Sequence, residues 1–283
     1  MTRRTHQEEL ESLCTADEAE TFDRPERKRA IIIFTPRSGS SWLADLLKST
    51  GVFGFPNEYV NQSFFSLTPF KVRSERDYLN AIELHTATEN KFYCLEATWG
   101  EIEQFSTLDF FAFYKDATFF HLRRRDIISQ AISSVIATQT GLFHRVNGSN
   151  ITMKGRSEEV DFLSLPNLST LIQQWCSQIA YCEWMTEYSF MLKNIRATRI
   201  FYEDIVHDPA GLTRDILSTA GLEPINSIES TFEKLERPQT TLIKDLFLKE
   251  RPEFLNRLMQ MRAPLSFSEE DSVEPMIWPR RIP

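Results

Sequence analysis

The stretch from residue 31 to residue 47 constrains the fold of this chain more than any other. An apolar, β-branched run, Ile31-Ile32-Ile33-Phe34, stops at Thr35-Pro36 and passes through Arg37-Ser38-Gly39-Ser40-Ser41. It then enters an amphipathic pattern at Leu43, Leu46 and Leu47. That order spells a buried strand, a tight loop and a helix whose first turn carries hydroxyls. A loop of this shape aims consecutive backbone N–H groups and the positive end of a helix at an anion. The nucleotide-hydrolase form of the motif, G-x-x-x-x-G-K-[ST], is absent: the first glycine is missing, no lysine follows Gly39, and Arg37 stands before Ser38. The loop therefore reads as a phosphate cradle of another kind than an ATPase loop.

The same alternation recurs along the chain. Strands are expected at 30–35, 91–97, 118–122 and 199–202, and helices at about 40–49, 77–88, 127–138, 168–192 and 210–220, the last closed by Gly221. Short strands that are apolar on both faces, alternating with helices, predict a P-loop-like three-layer α/β/α fold around a central parallel sheet. The 168–192 helix is expected to bury its Trp, Tyr and Met side chains. Residues 141–164 are expected to form a long loop suited to a lid. Residues 1–26 read as a polar arm, with a helical turn at Glu8–Leu13, ahead of one domain over 27–283.

Composition removes several function classes. A formal charge of −8 excludes a general affinity for nucleic acid and makes any basic patch local. The apolar run Ala30–Phe34 is far too short to span a bilayer. Residues 1–29 mix acids and bases without an apolar segment, so neither a secretory signal nor a transit peptide is expected, and the cytosol is the expected location. Cys14, Cys94, Cys176 and Cys182 show no paired metal spacing, and the histidines stand at no ligand-like interval, so no metal is expected.

Three strand exits carry the chemistry. The first gives Arg37 to Ser41. The second gives Arg123-Arg124-Arg125-Asp126, followed by a helix bearing Ser129 and Ser133. The third gives Tyr202. In a parallel sheet ligands sit at the carboxyl ends of the strands. A cradle plus a second Arg/Ser cluster there suits a ligand with two separated anionic groups, such as a nucleotide bisphosphate.

Three segments carry a resemblance to a known family: TPRSGSSWLADLLKSTGVFGFPNEYV, FFHLRRRDIISQAISSVIATQTGLF and RIFYEDIVHDPAGLTRDILSTAGLEP. From about residue 30 to 260 the chain resembles the Stf0-type sulfotransferases, typified by trehalose 2-sulfotransferase. The resemblance implies the sulfotransferase fold and 3′-phosphoadenylyl sulfate (PAPS) as sulfuryl donor. It also implies a hydroxyl acceptor on a carbohydrate or glycolipid, adenosine 3′,5′-bisphosphate as product, no metal, and allows a homodimer.

Carried over residue by residue, the resemblance assigns Arg37, Ser38, Gly39, Ser40 and Ser41 to the 5′-phosphosulfate. Arg37 there stabilises developing charge, since a guanidinium stays protonated and cannot act as an acid. Arg124, two places before Asp126, and Ser133 are assigned to the 3′-phosphate. Trp42 and Tyr202 are candidates for the adenine pocket and, equally, for plain core packing. Arg237 falls where the family closes over the nucleotide, although Pro238 interrupts the family's Arg-Gln adjacency. Glu58, in Pro56-Asn57-Glu58-Tyr59, matches the family's general base. Glu96 reads either as a liner of the acceptor site or as an ion-pair partner, and His121 as a second base or a packed strand residue. His207-Asp208-Pro209 reads as a helix cap. The alternatives are a P-loop nucleotide kinase, which requires a Walker lysine and a magnesium-binding aspartate, and a non-catalytic nucleotide-binding module.

Overall fold

The computed structural model describes residues 21–65, 71–146, 149–152, 162–223, 225, 228 and 239–262. The expected helical turn at 8–13 and Arg237 lie outside them. Strand β1 (Lys28–Phe34) leads into helix α1 (Ser40–Ser49). After helix α2 (Glu75–Thr86), strand β2 (Phe92–Thr98) and a single turn at Phe110–Phe113 come strand β3 (Thr118–Arg123) and helix α3 (Ile127–Thr140). The chain continues through strands β4 (Leu142–Val146) and β5 (Ser149–Thr152), helix α4 (Leu168–Leu192) and strand β6 (Ala197–Phe201). Helices α5 (Tyr202–His207), α6 (Pro209–Thr219), α7 (Gln239–Glu250) and α8 (Pro252–Arg262) complete it.

The central sheet has four parallel strands in the order β2-β1-β3-β6. Its register pairs Ile32 with Glu96 and with Phe120, so every β1 residue from Ala30 to Ile33 is enclosed. Alternation along the strands divides the core. Ala30, Ile32 and Phe34 meet Leu43, Leu46 and Leu47 of α1 and Ile216 and Leu217 of α6 on one face. Ile31 and Ile33 meet Tyr78, Leu79 and Ile82 of α2, with Phe190 of α4, on the other. Each such aliphatic side chain contributes about 1.5–3 kcal/mol by burial, which explains why the isoleucine run specifies a central strand. Helix α3 packs instead into a third cluster with α4, α7 and α8, through Ile128, Ile132, Cys176, Phe247 and Leu258.

Two expectations need correction. Residues 141–152 are not loop: Gly141, at φ 73°, closes α3, and β4 and β5 then form an antiparallel hairpin pairing Val146 with Ser149, while 153–161 of the expected loop lie outside the described residues. Asn-Gly at 147–148, between two runs able to form strands, is a hairpin signal that the loop expectation overlooks. Nor does α4 bury its Trp, Tyr and Met side chains as a set. Its inner seam is Ile172, Cys176, Ile179, Ala180, Glu183, Thr186, Ser189 and Phe190, whereas Tyr181, Tyr188 and Met191 are exposed. Small side chains there let α4 pack closely against α3.

The connection out of β1 leads to β2 at one side, and the connection out of β3 leads to β6 at the other. A crevice opens at such a divergence, outside the carboxyl ends of the strands. The loop after Phe34 and the arginine triplet both lie there.

Candidate functional site

Four strand ends supply the site. After β1 the chain turns so that Ser38 N donates to the Thr35 carbonyl at 3.2 Å. Arg37 and Gly39 flank it at φ 66° and 93°. A left-handed arginine costs on the order of 1–3 kcal/mol and persists only where its surroundings impose it. Here Gln130, wholly buried in α3, imposes it: its Nε2 donates to Thr35 Oγ1 and to the Pro36 carbonyl, both at 2.8 Å. Arg37 Nε in turn donates to Ser133 Oγ at 3.0 Å. The loop and α3 are thus one rigid unit.

Gly39 has a second reason to be glycine. A Cβ there would stand 2.6 Å from Tyr202 Cδ2. The same Tyr202 ring carries the Arg124 guanidinium over its face, 4.4 Å from its centroid. Residues from three strand exits therefore touch in sequence: Gly39, Tyr202, Arg124. Arg124 thus covers one face of the ring. Trp42 packs against the α1-side core, partly buried.

The three arginines have different fates. Arg123 is buried and pairs with Glu183 at 3.1 Å; Arg125 forks onto Asp204 at 2.8 and 3.0 Å. Arg123 and Arg125 thus face away from Arg124, the member of the triplet assigned to the 3′-phosphate, and carboxylates neutralise both. Arg124 has no carboxylate partner among the described residues, and its Nε is buried without a hydrogen bond. Ser38 Oγ and Trp42 Nε1 are likewise buried and unpartnered. Unmet donors gather where an anionic ligand is expected. Helix α1 agrees: Gly39 offers no side-chain cap, and no acid stands in its first turn.

The acidic half of the site lies beyond β1, at β2. Asn57 fixes it, its carbonyl accepting from Glu96 N at 3.0 Å and its side chain from Glu58 N at 3.0 Å. Glu58 and Glu101 both accept from Asn61 Nδ2, at 3.4 and 2.7 Å. Burial, followed by the charge of Glu101, pushes the Glu58 carboxyl up to about 7. Glu96 is fully enclosed with Oε1 unpartnered, and burial first, then the Glu58 charge, holds its carboxyl far above the usual range. Glu96 thus feels the Glu58 charge, opposed by that of Lys48, and forms no ion pair among the described residues. Burial also raises Glu101, against the bond from Thr98 N at 2.7 Å.

His121 is a packed strand residue. It is buried, its Nδ1 lies 2.8 Å from Glu187, and burial lowers its basicity. Asp208 caps α6 through Gly211 N at 2.8 Å, as expected. Sequence reasoning missed Gln130, Asn61 and Glu101. Glu101 was within reach, because Thr98-Trp-Gly-Glu101 right after a strand is a capping box. Gln130 shows only as a lone amide among Ile127, Ile128, Ala131 and Ile132, and Asn61 leaves no signal.

A P-loop kinase and a sulfotransferase could share much of this geometry. The comparison that separates them is by sequence: residues 105–241 match the model of the Stf0 sulphotransferase family. Over that stretch the chain resembles the Stf0 sulphotransferases. The Stf0 match spans Arg124, Ser133, Tyr202 and Arg237, and leaves the 35–41 loop and Glu58 outside. No curated protein sequence matches the chain. Among solved structures, a sulfotransferase from Alicyclobacillus acidocaldarius aligns with a TM-score of 0.52 at 13% identity, covering 84% of this chain and 96% of that one. The sulfotransferase STF9 from Mycobacterium avium gives 0.47 at 14% identity, over 85% and 76% of the two chains. The sulfotransferase domain of the Synechococcus PCC 7002 olefin synthase gives 0.42 at 12%, over 88% and 99%. The central parallel sheet with helices on both faces is the sulfotransferase fold. Among the described residues no helix is long and apolar enough to cross a membrane, and no group of three His, Cys, Asp or Glu is placed to hold a metal ion.

Proposed function

We propose that this sulfotransferase takes its sulfuryl group from PAPS and transfers it to a hydroxyl of a carbohydrate or glycolipid, with Glu58 as general base. The observation that carries this reading is the Arg37 Nε to Ser133 Oγ bond, which joins the β1 loop to the helix after β3. With Gly39, Tyr202 and Arg124 in contact beside it, one ligand with two anionic ends can be gripped by a single surface.

In this reading the donor supplies an activated sulfuryl group. Arg37, the hydroxyls of Ser38, Ser40 and Ser41, and the N–H groups of Gly39, Ser40 and Ser41 hold its 5′-phosphosulfate at the open end of α1. Arg124 holds the 3′-phosphate, and Ser133, bonded to Arg37, serves both ends. Trp42 and Tyr202 border the adenine, and Arg237 is assigned to close over it. Glu58 removes the acceptor proton as the new S–O bond forms. The electron pair of the breaking bond passes to the 5′-phosphate, where Arg37 and the loop amides meet the charge. Such preorganised donors are worth about 2.7–4 kcal/mol each when aimed at developing charge. A base titrating near neutrality adds roughly 10²–10⁴-fold. We place the protein in the cytosol, in keeping with its unpaired thiols at Cys94, Cys176 and Cys182. The exposed Tyr181 and Tyr188 side of α4 is the surface we assign to a homodimer contact.

Thermal unfolding tests the donor. Adenosine 3′,5′-bisphosphate at a hundred times its Kd, without magnesium, should stabilise the protein by about 2.7 kcal/mol, and ATP with magnesium should not. Stabilisation by ATP with magnesium alone overturns the reading in favour of a kinase. Radiolabelled donor offered to a glycan panel then identifies the acceptor.

A further inference from the structure

Behind the β3 exit lies a buried ion group that the proposed chemistry does not use. Glu183, on the inner seam of α4, is wholly enclosed and receives Arg123 Nη2 at 3.1 Å. It also receives Arg262 Nε and Nη2, both at 2.9 Å, from the last turn of α8. Arg262 does more than pair with this acid. Its Nη2 donates to the Arg124 carbonyl at 2.8 Å, and its Nη1 to the Arg125 carbonyl at 3.0 Å. One guanidinium thus spans a buried carboxylate and the two backbone oxygens at the corner where β3 gives way to α3.

We propose that Arg262 is a positioning residue for Arg124, so that helix α8 is a working part of the site for the nucleotide's 3′-phosphate. The inference rests on the reading of Arg124 as the ligand of that phosphate. The geometry behind it is a division of labour among consecutive residues. Arg123 is drawn inward to Glu183, and Arg125 is drawn outward to Asp204. Between them Arg124 is held through its carbonyl, by Arg262, and laid across Tyr202. A planar five-donor fork can satisfy a carboxylate and two carbonyls together, and an ammonium cannot reach all three from one point. Coupling between sites is reciprocal, so a ligand that requires Arg124 in this pose should also tighten α8.

Titration calorimetry on the full chain tests this with two probes, adenosine 3′,5′-bisphosphate and AMP, which lacks the 3′-phosphate. Arg262→Lys keeps a cation beside Glu183 and removes the fork. It should weaken the bisphosphate roughly tenfold, the worth of one charge-assisted hydrogen bond, and leave AMP within about twofold. In the unsubstituted protein the bisphosphate, and not AMP, should slow hydrogen exchange at amides 253–262; in Arg262→Lys that difference should vanish. Arg124→Ala separates the two layers of the argument. If it abolishes the preference for bisphosphate while Arg262→Lys preserves it, the positioning role is overturned and the 3′-phosphate reading stands. If Arg124→Ala leaves the preference intact, the reading itself falls. Equal losses for both nucleotides in Arg262→Lys would reduce Arg262 to a fold-stabilising residue.

Discussion

Replacing Glu58 by glutamine should make the protein more stable, by an amount that grows with pH. Burial and the nearby Glu101 charge raise the Glu58 carboxyl from 4.5 to about 7, with the 3.4 Å bond from Asn61 opposing them. In the unfolded chain the group ionises near its ordinary value. Between these two values the folded protein keeps a proton that the unfolded chain has released, so stability falls as pH rises through that window. Below the window both states are protonated and nothing is lost; above it the full difference is lost. A gap of about 2.5 pH units at about 1.36 kcal/mol per unit amounts to about 3 kcal/mol. That is a large share of the ~5–15 kcal/mol that holds a typical domain together.

Glutamine keeps the shape and can still accept from Asn61, yet never ionises. Urea unfolding at pH 5 and pH 8 reads the effect directly. The stability gain of Glu58→Gln should be larger at pH 8 than at pH 5 by roughly 2–3 kcal/mol, the part of the window crossed between them. An equal gain at both pH values, or a variant less stable at pH 8, refutes the argument that Glu58 is held protonated by its surroundings. The measurement needs no knowledge of the acceptor. A carboxyl held near neutrality is what the proposed general base requires.

Two further substitutions separate the halves of the site. Glu101→Gln removes the like charge beside Glu58, so the acid limb of kcat/KM should move from about 7 to lower pH; an unmoved limb shows that burial alone sets it. Gln130→Leu strips Thr35 Oγ1 and the Pro36 carbonyl of their donor and should destabilise the fold by about 1–3 kcal/mol while weakening AMP and adenosine 3′,5′-bisphosphate alike. Loss confined to the bisphosphate would contradict its role in shaping the 5′ loop.

The parts of this fold legible in the sequence are those set by neighbours along the chain. The isoleucine run before Thr35-Pro36 defined β1, the Leu43-Leu46-Leu47 spacing defined α1 over Ser40–Ser49, and the expected Leu168–Leu192 helix has those same bounds. The loop chemistry at 37–41 is equally local. What escaped is set across the chain. Arg262 meets Glu183 and Arg124 from 79 and 138 residues away, and Gln130 meets Thr35 from 95, with no periodicity to announce the pairing. The resemblance singled out Arg124 from the triplet, but the carboxylates that hold Arg123 and Arg125 were illegible for the same reason, since Glu183 and Asp204 come from other elements. The buried side of α4 was misjudged because hydrophobic character alone favours its Trp and Tyr side chains, whereas the seam packed with α3 is Ile172, Cys176, Ile179 and Ala180.

The two helices that face the crevice treat their N-termini in opposite ways, and the difference bears on which one is reserved for an anion. At α3, Asp126 accepts from Ser129 N at 3.1 Å, and Glu203 accepts from Arg125 N and Asp126 N at 3.0 and 3.2 Å. Two acids satisfy those amides and oppose the positive end of the helix. At α1 neither device is present, although a good cap contributes about 1 kcal/mol. An acid placed in that first turn should therefore separate stability from binding. Ser41→Asp adds a carboxylate at a half-buried position next to the open amides, where the helix dipole favours it by about 0.3–1 kcal/mol. The free protein should unfold at a slightly higher urea concentration, and binding of adenosine 3′,5′-bisphosphate should be lost, because the carboxylate occupies the amides and repels the phosphate. If stability and binding fell together, a distorted loop would be responsible. If binding survived, the α1 terminus would not be where the 5′-phosphate sits, and the assignment of Arg37 to Ser41 would fail with it.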